Sequence, residues 1–255
     1  MEQELMESVQ KFWENEPCGT SELITGGKAP RTKEWFDQIE EYRYSVEPFI
    51  HSVAQFTCHE GKRLLEIGVG AGTDHLQWAR AGLECYGIDL TDAGIATTKE
   101  LFALYGHKSI LQRANAESLP FEDGFFDVVY SWGVIHHSEN PQQIINEINR
   151  VLKPNGKFIG MMYGRYSLLS FKFWIKYALL KGKPWLTYSK VLWDHQESLG
   201  TKAYTINELK KMFCLFNSLE AKKILTNADT DKWPKNISRF FPNRWGWYIS
   251  IKAGK

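Results

Sequence analysis

Short apolar runs alternate with longer amphipathic stretches through the middle of the chain, a rhythm of strand followed by helix. Residues 63–67 (Arg-Leu-Leu-Glu-Ile) read as a buried strand and 73–80 as a helix, and residues 85–89 and 92–105 repeat the pair. Residues 109–112 and 126–131 read as a third and a fourth strand. Ile144, Ile145, Ile148 and Val151 fall on one face of a helix over 141–152, with Pro141 in its first turn and Asn140 as its cap. A Lys-Pro-Asn-Gly turn at 153–156 leads into a fifth strand over 157–163. Strands that alternate with helices pack as a parallel sheet covered on both faces, because each connection must cross over the sheet.

After Tyr163 the rhythm breaks. Residues 164–204 form an aromatic and basic insertion, after which Thr205 and Glu208 make a capping box for another helix. Residues 219–225 and 245–251 read as two strands able to pair as an antiparallel hairpin. Residues 1–60, with Trp13, Trp35, Phe36 and Tyr42 to bury, read as helical. The expectation is one α/β domain over 1–255 built on a doubly wound sheet: a helical N-terminal cover over 1–60, a core over 61–163, an inserted lid over 164–204, and a closing helix and hairpin over 205–255.

Total charge hides a segregation. The chain has 31 Lys and Arg against 30 Asp and Glu, yet residues 1–47 hold 5 basic and 11 acidic side chains, 48–152 hold 7 and 13, and 153–255 hold 19 and 6. The C-terminal third therefore faces a different partner from the rest of the chain, or faces the rest itself. An apolar content of 43% excludes intrinsic disorder. No apolar run reaches the roughly 18 residues of a membrane span, and Glu2, Glu4 and Glu7 make the start of the chain acidic where a secretory leader is basic and then apolar, so a cytoplasmic location is expected. Cys18, Cys58, Cys85 and Cys214 lie far apart, without a paired CxxC or a histidine at zinc-finger spacing. They are expected as reduced, mostly buried thiols, and no metal is expected.

Chemistry enters at Glu66-Ile67-Gly68-Val69-Gly70-Ala71-Gly72, where a strand ends, three alternate glycines follow and a helix begins. Such a turn lets backbone approach a nucleotide-like ligand. The dinucleotide pattern GxGxxG needs glycine at 73, where this chain has Thr, and the P-loop's Gly-Lys-Ser/Thr is absent. Asp89, at the end of the second strand, is placed to accept from the two hydroxyls of a ribose, and Glu66 to meet an ammonium. A glycine turn and a ribose acid without a phosphate cradle point to a nucleoside that carries an amino acid.

These residues, with Asn115-Ala116-Glu117-Ser118-Leu119-Pro120-Phe121, the run from Phe126 to His137, and Arg150-Val151-Leu152-Lys153-Pro154-Asn155-Gly156-Lys157, resemble in order and spacing the class I S-adenosylmethionine-dependent methyltransferases. The resemblance covers residues 61–163 and the two closing strands. It implies a seven-stranded Rossmann-like sheet, S-adenosylmethionine as donor, and donor contacts at Glu66, Gly68, Gly70, Gly72, Asp89 with Leu90 beside it, Asn115, Ala116, Glu117 and Ser131. Relatives commonly place Asp where this chain has Asn115; an amide oxygen still accepts from the adenine amine, at a modest cost in affinity.

Methyl transfer from a sulfonium is an in-line displacement, so the protein's task is to align the reactants and exclude water. A base is needed only where the acceptor must lose a proton of high pKa. His137 and His136, after the fourth strand, and Tyr163, at the end of the fifth, are the catalytic candidates; a satisfied loop histidine is the competing reading for each of the pair. Tyr44, Arg165 and Trp174 are the acceptor-side candidates. Residues 168–185, apolar but broken by Lys172 and Lys176, are read three ways: as a lid, as an amphipathic surface on an anionic membrane, or as a dimer contact. The expected acceptor is a small apolar or aromatic molecule rather than nucleic acid, for which no recognisable module is present. A membrane-docked lipid or quinone methyltransferase, and a donor-binding protein without methyl transfer, stand as alternatives.

Overall fold

In the computed structural model, which describes residues 2–15, 19–231 and 233–255, the chain opens with helices α1 (Glu2–Asn15), α2 (Glu22–Thr25), α3 (Lys33–Val46) and α4 (Phe49–Ala54). The predicted alternation follows: β1 (Arg63–Ile67), α5 (Thr73–Arg80), β2 (Glu84–Asp89), α6 (Asp92–Tyr105), β3 (Ile110–Arg113), β4 (Phe126–Trp132), α7 (Pro141–Val151) and β5 (Leu152–Tyr163). The insertion carries α8 (Leu168–Tyr177) and α9 (Tyr188–His195). The chain then runs through α10 (Ile206–Met212), β6 (Ser218–Ile224), α11 (Asn227–Thr230), α12 (Lys235–Ser238) and β7 (Tyr248–Gly254).

Seven strands lie in the order β3-β2-β1-β4-β5-β7-β6. Strands β1 to β5 pair in parallel, and β7 runs antiparallel to both β5 and β6, as the hairpin expectation requires. The strand order reverses between β1 and β4, so their C-terminal ends border the crevice where a doubly wound sheet takes a ligand. The turn at 153–156 departs from the sequence reading. It interrupts a strand rather than preceding one: Leu152 already pairs with Phe126, and residues 153–156 loop out opposite Asp127 before Lys157 meets Val128.

Alternate side chains of the central strands serve two cores. Leu65, Ile67, Val129, Phe158 and Ile251 face α7 and α10 through Ile144, Ile145, Ile148 and Leu209. Leu64, Val128, Tyr130 and Ile159 face the opposite layer, where Ile50, Ala54 and Trp78 close over them. Each fully buried aliphatic side chain of α7 contributes about 1.5–3 kcal/mol, and Asn140 caps that helix through Gln143 N. On the flank, Trp35, Phe36 and Ile39 of α3 pack on Leu76 of α5 and on Leu101 and Phe102 of α6.

Cys85 is buried, but Cys58 and Cys214 are exposed, against the expectation of mostly buried thiols. Both occupy short surface turns, one after α4 and one after α10, where a small side chain has no sheet to pack against. Cys18 lies outside the described residues. Among the described residues no helix is long and apolar enough to cross a membrane.

Candidate functional site

The turn from β1 into α5 requires glycine for two different reasons. Gly68 has φ 80°, and a Cβ there would stand 2.3 Å from Val134 Cγ2. Gly70 has φ 53° with nothing within 4 Å of its Cβ position, so that face is open. The turn is tied to β2: Gly68 N and Val69 N donate to Ile88 O at 2.8 and 3.2 Å, and Gly70 N donates to Asp89 Oδ2 at 2.9 Å. Over it lies a cavity of about 330 Å³, lined by Glu66, Gly68, Gly70, Gly72, Asp89, Leu90, Asn115 and Ala116 on one side, and by residues of β4, β5, β7 and the N-terminal cover on the other.

Asp89 is already well used. Its Oδ1 accepts from Thr91 N and Oγ1 at 2.9 and 2.6 Å, and its Oδ2 accepts from Gly70 N. With about four acceptor positions on a carboxylate, one hydroxyl fits directly and the second displaces the Thr91 hydroxyl. Asn115 turns its amide oxygen to Glu117 N at 2.9 Å, a backbone turn, and leaves its amide nitrogen as a donor.

Glu66 is buried beside His75. His75 Nδ1 is 3.0 Å from Glu66 Oε2, and His75 Nε2 is 2.8 Å from Ser109 Oγ, whose hydroxyl proton goes to Cys85 O at 2.9 Å. Ser109 therefore accepts from Nε2–H. A neutral His75 then has a lone pair at Nδ1, and Glu66 must carry the proton between them. The electrostatics agree. Burial, with Asp74 and Asp89 nearby and only Arg43 opposing, raises the Glu66 carboxyl well above its ordinary range, and burial pushes His75 down to about 3.

The other half of the cavity is aromatic and acidic. Trp13, Trp132, Met161, Tyr163 and Tyr248 line it together with His137, Glu47 and Glu197. Glu197 takes φ 46°, a left-handed conformation that is uncommon for a side chain of this kind. It accepts from the Tyr163 hydroxyl at 3.0 Å through both carboxylate oxygens. His137 Nε2 lies 3.3 Å from Glu197 Oε2 without a hydrogen bond, while Nδ1 meets Ser198 Oγ and Thr201 Oγ1 at 3.0 and 3.1 Å. Thr201 spends its proton on carbonyl oxygens, which makes Nδ1–H the donor and leaves Nε2 buried without a hydrogen-bond partner. Glu47 is held by Trp132 Nε1 and the Tyr248 hydroxyl at 3.0 and 2.9 Å.

Several sequence candidates fall outside the wall. Ser131 is buried and donates to Ile67 O at 3.1 Å, joining β4 to β1. Glu117 accepts from Ser138 Oγ and Asn140 N, steadying the loop before α7. His136 is fully buried behind Tyr163, with ring centroids 3.7 Å apart and no partner for either ring nitrogen, so burial lowers its pKa well below the ordinary value. Tyr44 points at Asp74 Oδ1 (3.0 Å), because its helix turns Arg43 and Tyr42, not Tyr44, to the cavity. Arg165 pairs with Glu208 at 2.9 Å, and it shares with Trp174 a second, open pocket formed by residues 165–166, 174 and 184–189.

What sequence reading missed is instructive. Glu197 sits in an irregular loop with no periodic signal, 34 residues from the Tyr163 it meets. The helix expected over 73–80 gives Asp74 and His75 no role from the sequence, yet Asp74 receives Arg43 at 2.8 and 2.6 Å and the Tyr44 and Tyr130 hydroxyls at 3.0 and 2.8 Å. With Glu66 holding its proton and Asp74 paired with Arg43, the cavity still presents Glu47, Asp89 and Glu197 with no further Lys or Arg among its described lining residues, a balance that fits a cationic ligand.

The family described as a methyltransferase domain matches residues 65–160. The chain is 33% identical over 103 residues to the uncharacterized methyltransferase YcgJ of Bacillus subtilis (strain 168), covering 40% of this chain and 41% of that protein. It spans less than half the length of the foremost curated relatives it matches. Against the demethylmenaquinone methyltransferase of Bacillus mycoides (strain KBAB4), identity is 26% over 221 residues, 77% of this chain and 90% of that one. A solved structure from Thermotoga maritima, an SAM-dependent methyltransferase and possible histamine N-methyltransferase, covers 97% of this chain and 99% of its own with a TM-score of 0.57 at 17% identity, a likeness of fold.

Proposed function

We propose that this chain, whose residues 65–160 match a methyltransferase domain, is a class I S-adenosylmethionine-dependent enzyme that moves a methyl group from S-adenosylmethionine to O, N or C of a small, uncharged, apolar or aromatic acceptor. The observation that carries the reading is one cavity whose glycine rim and ribose acid adjoin an aromatic wall. When bound, S-adenosylmethionine supplies a methyl group made electrophilic by its positively charged sulfur. Asp89 and the Gly70 face hold the ribose side, Asn115 donates to a ring nitrogen of the adenine, and Glu66 meets the ammonium. Trp132, Tyr163 and Tyr248 exclude water and present a flat surface to the acceptor. Glu47 and Glu197 at this end disfavour an anionic acceptor. For an acceptor that must lose a proton, the Glu197 carboxylate stands at the cavity to receive it, with Tyr163 orienting it and His137 Nε2 beside it. The similarity to a demethylmenaquinone methyltransferase supports a quinone-type acceptor as the nearer variant.

Calorimetry with the demethylated donor, S-adenosylhomocysteine, tests the first half: Asp89→Ala should weaken binding at least about tenfold, the cost of a lost charged hydrogen bond. Release of the same product with candidate phenols and quinones tests the second. Glu197→Gln should lower that release by about 100-fold or more while leaving product binding intact. Binding without release for any acceptor would favour a donor-binding protein, and undiminished binding in Asp89→Ala would remove the ribose assignment.

A further inference from the structure

Most of the exposed large apolar side chains among the described residues come from two excursions that also carry basic side chains. In the insertion, Leu180 and Trp185 are 74% and 73% exposed, and Tyr166, Phe171 and Leu179 are also exposed. Lys176, Lys181 and Lys183 lie among them. Lys172 and Lys190 pair with Asp231 and Asp194, but these three meet no carboxylate among the described residues. Nor does the acidic two-thirds of the chain absorb the basic third: among the described residues, Lys153–Asp127 is the one Lys or Arg ion pair that crosses between them.

A second exposed set, Trp233, Ile237, Phe240 and Trp245, comes from the excursion between β6 and β7, together with Arg239 and Arg244. The two excursions pack on each other: Leu169 N donates to Asp229 Oδ1 at 3.1 Å and Lys172 Nζ to Ala228 O at 3.1 Å. They also leave the same end of the sheet, since Tyr163, Tyr248 and Ile224 are in register across β5, β7 and β6. Tyr163 and Tyr248 line the cavity, so both excursions are rooted at strand ends beside its aromatic half.

Scattered apolar residues on a protein surface carry no message, but a set rich in Trp and Leu and interleaved with unpaired lysines is the composition of a monotopic surface. A two-fold contact with a second copy would bring the same lysines face to face, with only Asp194 and Glu197 as acids in residues 164–204. We propose that this surface docks on an anionic lipid bilayer, with Leu180 and Trp185 entering among the headgroups while Lys176, Lys181 and Lys183 lay their stems along apolar surface and meet lipid phosphates. The docking stands apart from the methyl-transfer reading. Its consequence, that the acceptor enters the aromatic half of the cavity from the bilayer, rests on that reading.

Co-sedimentation of the full chain with vesicles tests it. Vesicles of equal parts phosphatidylcholine and phosphatidylglycerol should carry the protein down, with at least about tenfold weaker binding to phosphatidylcholine alone or in about 0.5 M salt. The Leu180→Ser, Trp185→Ser double variant should bind anionic vesicles at least about tenfold more weakly and keep the parent's affinity for S-adenosylhomocysteine. No binding to either vesicle, equal binding to both, or undiminished binding by the variant would overturn the proposal. So would light scattering that shows a dimer which the double variant splits. Vesicle binding by a chain that fails to bind S-adenosylhomocysteine would support the surface and sink the methyl-transfer reading; the reverse result would sink the surface alone.

Discussion

The fully buried carboxyl of Glu66 illustrates a conflict between folding and ligand recognition at the scale of one residue. Against His75 it holds a proton, yet an ammonium favours the carboxylate. A carboxyl raised in the fold keeps its proton after the unfolded chain has lost its own, so stability is highest below the ordinary carboxylate range and falls as pH rises above it. Glu66→Gln replaces the carboxyl proton with an amide donor and has nothing to ionise. In donor-free protein at pH 8 the variant should melt about 2–4 °C higher, the response of a domain this size to about 1 kcal/mol, with little difference near pH 4 and weaker binding of S-adenosylhomocysteine. Thermal scans at the two pH values check this; a lower melting temperature for the variant at pH 8 would mean that Glu66 is ionised in the fold. Asn115 makes a related point. Its amide oxygen is spent on the turn, so the side chain offers the adenine a donor, where sequence reasoning expected an acceptor.

At the scale of an element, α3 straps the cover to the site. Arg43 grips Asp74 at the start of α5 with two hydrogen bonds, Glu40 reaches Gln77 and Arg80, and Glu47, just past the helix end, holds Trp132 and Tyr248. Burial would raise the Asp74 carboxyl, but Arg43 and the two tyrosine hydroxyls prevail and hold it below the ordinary carboxylate value. Arg43→Ala leaves that charge buried and uncompensated, which costs about 3–5 kcal/mol. Urea unfolding measures the loss, and the Arg43→Met, Asp74→Asn pair should recover much of it. A single-variant cost under about 1 kcal/mol would show that water reaches Asp74 and that the strap is a surface feature.

For the whole molecule, the buried histidines set the acid limit. His75 is pushed down to about 3, and His136 is lowered well below its ordinary value, both chiefly by burial. In the unfolded chain each takes a proton near pH 6.5, so their contribution is complete above that pH and is lost as pH falls, for His75 down to about 3. In the Glu66→Gln variant, which has no opposing carboxyl to titrate, the urea midpoint should therefore drop between pH 7.5 and 5.5. His136→Phe, which keeps the ring against Tyr163 and removes two unpartnered nitrogens, should reduce that drop; the same pH dependence in the variant would remove His136 from the account.

The repeating strands and helices, the cap at Asn140, the capping box at Thr205 and Glu208, and the glycine turn with Asp89 were all legible in the sequence, because each depends on periodicity or on residues within a few positions of one another. The Lys-Pro-Asn-Gly turn was legible as a turn, but not as a loop within a strand, since only pairing with Phe126 and Val128 places it. The Glu197–Tyr163–His137 group, the Arg43 grip on Asp74 and the proton shared by Glu66 and His75 depended on which distant segments the sheet brings together and on how completely they are buried. Charge segregation could be counted from the sequence alone. That Lys176, Lys181 and Lys183 meet no carboxylate among the described residues and lie beside exposed Trp and Leu was decided by the fold, in which the register of β5, β6 and β7 sends two separate excursions from the same end of the sheet.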